Sequence, residues 1–228
     1  MSGAALVFGA SGQIGSACRR KLGSDGFAVI ATSRTGVPGD GIAAYDPAAD
    51  PDRLPGDGPF EAVVWAQGAN LNDSVIDFDA GRHRALYEAN ALFVASSLHA
   101  LLKADRIADG ARLCVISSVW QKVSRTNKLS YMMTKAAVQG LVMSVALDLA
   151  DRGITINAVL PGALETPMTR QNLSAEQIER LANMTPFKRL PAMEDVAALV
   201  SFLCSAANSS ITGQFVAVDL GFEHARIV

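Results

Sequence analysis

The first apolar run of the chain, Ala4 to Phe8, breaks directly into three evenly spaced glycines, Gly9-x-x-Gly12-x-x-Gly15, and a helical pattern then runs to about Gly23. A short apolar run ended by glycine reads as a buried strand. The glycines let the backbone turn sharply into a helix whose first amides have no intrahelical acceptor. A strand–glycine–helix unit of this kind commits a chain to a βαβ architecture and leaves an anion site at the helix N-terminus. Gly9, Ser11, Gly12, Gln13, Ile14 and Gly15 are the residues of that loop, and a pyrophosphate is the anion its backbone can approach.

The remaining pattern extends the unit. Apolar runs at Phe27–Ala31, Ile42–Tyr45, Ala62–Ala66, Leu113–Ile116, Ile154–Val159 and Phe215–Val218 read as further strands. Helical periodicity fills residues 81–104, 129–151, 175–183 and 194–205. The alternation predicts a doubly wound, Rossmann-like parallel sheet of about seven strands in an α/β, three-layer αβα fold, a single domain over residues 1–228. Residues 34–59 are rich in Gly, Pro and Asp and hold no stretch long enough for an ordinary crossover helix, so the fold is cropped between strands two and four, with crossovers of a turn or two. Val196 to Val218 carries no charge, but Asn208 to Gln214 interrupt it, so it reads as helix, loop and strand and not as a membrane span.

Composition narrows the function classes. Among 228 residues, 18% are charged and the net charge is −2, which gives no electrostatic reason to expect nucleic acid or an anionic membrane as partner. Cys18, Cys114 and Cys204 are single and widely spaced, and His83, His99 and His224 are scattered, so no metal site is expected and a reducing, cytoplasmic setting fits. The N-terminal MSGAALVFGASG has no charged segment before its apolar run and reads as a first strand, not a signal peptide.

Three residues can do chemistry together. Tyr131 and Lys135 stand four apart, one turn along a helix face. An ammonium beside a phenol favours the phenolate, so the expectation is a lowered Tyr131 pKa and proton exchange with a substrate oxygen. Ser118 follows the fifth strand and can meet the same oxygen. Taken alone, Tyr-x-x-x-Lys reads first as a surface pair on an amphipathic helix, since two residues four apart often match by chance. At the end of the second strand, where an acid would bind a ribose 2′-hydroxyl, the sequence reads Thr32-Ser33-Arg34-Thr35. Arg34 can pair with a 2′-phosphate and Ser33 can add a hydroxyl, which argues for NADP over NAD. Asp46 can accept from an adenine amine or start the turn before Pro47.

With these motifs in one order, the chain resembles the short-chain dehydrogenase/reductase family over nearly its whole length. The resemblance rests on Gly9 to Gly15, Ala66-Gln67-Gly68, Asn90, Ser118, Tyr131-x-x-x-Lys135, Pro161-Gly162, Thr166-Pro167-Met168 and Thr212-Gly213-Gln214 before Val218-Asp219. It implies a catalytic set of Asn90, Ser118, Tyr131 and Lys135. Tyr131 is then the acid/base, Lys135 lowers its pKa and holds the nicotinamide ribose, Ser118 orients the carbonyl, and Asn90 holds a relay water. It also implies cofactor contacts at Gly12, Ile14, Ala66, Gln67, Gly68, Pro161, Gly162 and Thr166, and hydride exchange with a carbonyl or secondary alcohol. The glycine spacing departs from the usual pattern and suggests a sugar-nucleotide epimerase or dehydratase, the absent Asn-Asn after strand four leaves the adenine-pocket contact open, and a non-catalytic dinucleotide sensor, which would need the loop but not the catalytic set, is the other alternative. Residues 163–193 are expected to form a substrate lid; Met168, Leu173, Met184 and Phe187 are its apolar candidates for substrate contact and Arg170, Lys188 and Arg189 its cations, but all seven read first as ordinary surface helix and loop. Lys122, Arg125 and Lys128 near the site favour a polar or anionic small molecule. Helices apolar on more than one face point to a homodimer or homotetramer.

Overall fold

The computed structural model describes residues 3–164 and 174–225, so Thr166, Met168, Arg170 and Leu173 lie outside the described residues. Seven strands form one sheet: β1 (Ala4–Phe8), β2 (Ala28–Ser33), β3 (Ile42–Ala44), β4 (Phe60–Trp65), β5 (Ile107–Ile116), β6 (Thr155–Pro161) and β7 (Phe215–Val218). Their order is β3-β2-β1-β4-β5-β6-β7, and every pairing is parallel. The helices are α1 (Gln13–Ser24), α2 (Ala80–Tyr87), α3 (Phe93–Lys103), α4 (Leu129–Asp148), α5 (Ala175–Asn183) and α6 (Met193–Cys204). No helix occurs between β2 and β4; turns alone make both crossovers, as the Gly- and Pro-rich composition predicts.

The two faces of the sheet follow from the period of two along each strand. On β1, Leu6 and Phe8 enter a layer with Val63 and Trp65 of β4, Val94, Leu98 and Leu101 of α3, and Val138 and Val142 of α4. Ala5 and Val7 enter the opposite layer with Ala17, Cys18 and Leu22 of α1 and Val196, Val200 and Leu203 of α6. The helical run Ala80–Lys103 is long and apolar enough by composition to cross a bilayer, but Val94, Leu98 and Leu101 are committed to the core.

Several boundaries differ from the sequence reading, and two of them bear on the site. β5 starts at Ile107, six residues early, because Asp109-Gly110 disguises the strand; Gly110 takes φ +73° and the β4–β5 register shifts between Phe60 and Ala62 to absorb the irregularity. β2 runs on to Ser33, which buries both Thr32 and Ser33 at its C-terminal end.

The three cysteines, far apart in sequence, meet in the α1/α6 layer. Each is buried and free, and a hydrogen bond links Cys114 and Cys204. Burial, reinforced by Cys204, pushes the Cys18 thiol up to about 12. At pH 8 only about one Cys18 in 10⁴ is then the reactive thiolate. A thiol-specific disulfide reagent should modify none of the three in the native protein over an hour and all three in guanidinium. Fast labelling of the native protein would contradict this packing.

Candidate active site

Every element of the site lies at the C-terminal edge of the sheet, where strand order reverses between β1 and β4 and a crevice opens. Gly9, at φ +73°, begins the turn out of β1, and a Cβ there would stand 2.5 Å from the Gln67 amide nitrogen. A Cβ on Gly15 would stand 2.2 Å from the Gly9 carbonyl oxygen. The loop is thus compressed between the β4 exit and the first turn of α1, and only glycine fits at both ends. Gly12 is the N-cap of α1 and no side chain caps that helix, so its first amides stay available to an anion. Ser11, Gly12 and Gln13 border the mouth of this turn, and Ile14 reaches the catalytic cavity.

The crevice continues as a cavity of about 260 Å³ whose lining includes Gly9, Ser11, Gly12, Ser33, Arg34 and Ala66 to Ala69. Two buried acceptors in it, Ser33 Oγ and Gln67 Oε1, have no hydrogen-bond partner. Arg34 is exposed and, among the described residues, forms no ion pair. Uncapped amides, a loop that a Cβ would fill, two orphaned polar atoms and a free guanidinium fit a phosphorylated nucleotide. Asp46 is placed otherwise: its carboxylate accepts from the Ala48 amide at 3.0 Å in the turn after β3, and it is not among the residues lining the crevice.

Sharing Ala66 to Ala69 with that crevice, a second cavity of about 540 Å³ brings together Ile14, Ser118, Tyr131, Lys135 and Gly162. Ser118 lies two residues past the end of β5, as the N-cap of a short 3₁₀ turn (Val119–Gln121), accepting from the Trp120 amide at 3.3 Å. Lys135 is buried and donates to the Ile116 carbonyl at 3.2 Å, with its ammonium 5.6 Å from the Tyr131 ring centre. Pro161 ends β6 and sets up Gly162, which packs so closely on Asp219 that an added Cβ would stand 3.0 Å from the Asp219 Cβ.

Asn90 sits in a π-helical segment, Glu88–Leu92, between α2 and α3; such bulges favour functional positions. Its side chain accepts from the Ala69 amide at 2.7 Å and donates to the Ala69 carbonyl at 3.1 Å and to Thr134 Oγ1 at 3.0 Å. Asn90 therefore ties the β4 exit loop to the face of α4 that carries Lys135.

The electrostatics correct one expectation. Burial pushes the Tyr131 phenol above its ordinary value, and a hydrogen bond from Ser118 opposes this only in part. Lys135, expected to pull the phenol down, is itself lowered to about 8 by burial. Desolvation is the leading cause at both groups, and the phenol is protonated at neutral pH.

Sequence reasoning missed Asp73 and the burial of Lys128. The buried Asp73 accepts from the Ser130 amide at 2.9 Å and from the Ser130 hydroxyl, and its carbonyl accepts from the Leu129 amide at 3.2 Å. It caps α4 from 57 residues away, so no local signal announces it. Lys128, which reads as part of a basic loop, is buried and bonds Asn70 Oδ1 at 2.6 Å. Of the expected lid residues, Met184 lines a third cavity of about 620 Å³ that joins the catalytic one through Trp120, Arg125, Ala163 and Leu181. Phe187 is exposed with Arg189 stacked on it, and neither they nor Lys188 line that cavity.

Lys135 yields a stability prediction. Its pKa falls from 10.5 unfolded to about 8 folded, so below pH 8 the unfolded chain holds the proton more tightly and folding pays for it. The cost is on the order of 3 kcal/mol at neutral pH and fades as pH rises to 10.5. Lys135→Met should raise Tm at pH 7 by about 4–8 °C, allowing for the lost hydrogen bond, and the gain should shrink towards pH 10. Thermal melts at the two pH values decide it; a lower Tm at pH 7 would refute the buried ammonium.

The family model described as enoyl-(acyl carrier protein) reductase matches residues 57–223. The chain is 30% identical to the 3-oxoacyl-(acyl-carrier-protein) reductase FabG of Salmonella typhimurium, over 95% of this chain and 96% of that protein. It is 34% identical to a chloroplastic tropinone reductase homolog of Arabidopsis thaliana over 72% of this chain, a match spanning only 52% of that longer protein. Among solved structures, a gluconate 5-dehydrogenase from Burkholderia cenocepacia, in complex with NADP and tartrate, superposes with a TM-score of 0.85 at 26% identity, covering 99% of this chain and 96% of that one. The family model spans the tyrosine–lysine helix and strands β4 to β7, the FabG match covers 95% of the chain, and the chain belongs to the short-chain dehydrogenase/reductase family of oxidoreductases.

Proposed function

We propose that this protein is an NADP(H)-dependent carbonyl reductase or alcohol dehydrogenase with Tyr131 as its proton donor and acceptor. The observation that carries the reading is one cavity lined by Ser118, Tyr131 and Lys135 and continuous with the crevice of the glycine loop and Arg34. The NADP complex of the Burkholderia relative supports the choice of nucleotide. Gly9 to Gly15 and the first amides of α1 would hold the pyrophosphate, Arg34 and Ser33 the 2′-phosphate, Gln67 the nucleoside end, and Lys135 the nicotinamide ribose.

NADP supplies, or takes up, the hydride exchanged with the substrate carbon. For reduction, Ser118 Oγ donates a hydrogen bond to the carbonyl oxygen. The Tyr131 phenol, kept protonated by burial, delivers the proton to the same atom. General acid catalysis of this kind contributes about 10²–10⁴-fold. Lys135 stabilises the phenolate left behind, and Asn90 holds the loop and helix in register. The three free, buried thiols accord with a reducing, cytoplasmic setting. Val75 and Ile76 beside the site, with Met143 and Leu147 on α4, expose apolar surface suited to a homo-oligomer.

Two measurements test this. Tyr131→Phe should lower turnover by about 10²-fold or more with NADPH affinity within about threefold of wild type; near-full turnover would remove Tyr131 as the acid. Arg34→Ala should weaken NADPH by about tenfold or more and NADH by much less, since only NADPH loses a charge-assisted contact. Equal weakening of both would overturn the 2′-phosphate assignment.

A further inference from the structure

The cations beside Tyr131 fall into two groups. Lys122 is neutralised: its ammonium stands 3.2 Å from Glu223 Oε1. Lys128 is not. Its side chain is buried on the catalytic cavity and its ammonium bonds only neutral acceptors, Asn70 Oδ1 at 2.6 Å and the Leu71 carbonyl at 3.4 Å. The nearest carboxylate, Asp73, is occupied by the amide and hydroxyl of Ser130. An ammonium has three donors, so one remains. Arg125 lines the same cavity, lies over the Trp120 ring at 5.7 Å, and has no ion pair among the described residues. Its charge acts with burial to lower the Lys128 pKa.

Two like charges, one of them buried and only partly offset by the Asp73 carboxylate, which makes no ion pair with it, form a costly arrangement unless an anion completes it. Its place limits which anion. The Lys128 ammonium is 5.3 Å from the Tyr131 ring centre, so a group bound there lies close to the oxygen that Tyr131 serves. The adjoining 620 Å³ cavity, which shares Arg125, is more apolar. Trp120, Val123, Leu181, Met184 and Phe222 line it, and of its two carboxylates Asp219 is held by the amides of Gly221 and Glu223, while Glu223 meets Lys122 through Oε1 and leaves Oε2 without a hydrogen-bond partner.

We propose that the substrate is an oxo acid, or the matching hydroxy acid, whose carboxylate lies within two or three bonds of the reacting carbon and is held by Lys128 and Arg125, while an apolar chain fills the adjoining cavity. This rests on Tyr131 being the proton donor at that carbon. In the sequence all three cations count equally; in the structure only the unpaired two face the reacting group.

The test compares 4-methyl-2-oxopentanoate and acetoacetate with their methyl esters, titrated calorimetrically into the full-length protein with and without saturating NADP⁺. Wild type should bind at least one acid about tenfold or more tighter than its ester, as a charge-assisted contact implies. Lys128→Met should bring that ratio below about threefold. Arg125→Met, at an exposed position, should lower it too and guards against misfolding of the buried variant. Acids and esters binding alike to wild type, no binding of either acid, or a ratio indifferent to both substitutions would overturn the proposal. The same ratio measured in Tyr131→Phe separates the two claims. A retained ratio with lost NADPH oxidation supports both. A retained ratio with retained oxidation removes Tyr131 as donor and leaves the anion site standing.

Discussion

The site depends on one long-range contact, the capping of α4 by Asp73. The residue before this helix, Lys128, supplies no side-chain cap. The first amides of α4 are instead met by the carbonyl and carboxylate of a residue in the loop that leaves β4. The start of the same loop, Ala69, is clamped by Asn90, which also holds Thr134 one turn further along α4. The loop is therefore pinned at two points, one on each neighbouring helix. Tyr131 and Lys135 inherit their positions from that clamp, while the crevice wall inherits its shape from the other side of it. Removing a buried cap costs about 1–2 kcal/mol in stability, but here it would also release the register between Tyr131 and the crevice.

This framework makes the catalytic residues affordable in a structural sense. Lys135 and Lys128 are both buried without a carboxylate partner, and each lowers the stability of the chain at neutral pH. The two apolar layers around Phe8, Trp65 and Leu101 on one side and Cys18, Leu22 and Leu203 on the other offset that cost. The two buried lysines stand at the C-terminal edge of the sheet, and the strands beneath them hold ordinary packing.

Local pattern made most of the fold legible. Ala4–Phe8 and Ala175–Asn183 have the bounds their sequence predicts, because each is a complete local unit: an apolar run ended by glycine, and a helix opened by the Ser174–Gln177 capping box. What failed was non-local. The first half of β5 carries Asp109-Gly110 and is a strand only because β4 tolerates a register shift opposite it. The pKa of Tyr131 could not be read from the spacing to Lys135, because spacing places a charge but does not say how much water both groups lose. Asp46 had two readings of equal local merit, and the structure shows the turn contact, Oδ1 accepting from the Ala48 amide.

The glycine loop shows the same division between what a motif states and what enforces it. By spacing alone the three glycines are equivalent, and the spacing departs from the family's usual form. In the structure they do different work. Gly9 and Gly15 are sterically required, each with its Cβ space already taken by backbone, whereas a Cβ on Gly12 would meet only the Gly9 carbonyl oxygen at 3.3 Å. Gly12 serves instead as the uncapped start of α1. The constraint is therefore the pair at the two ends of the loop, which bring the β1 exit, the β4 exit and the helix into contact. The middle glycine is therefore not fixed by packing as the outer two are.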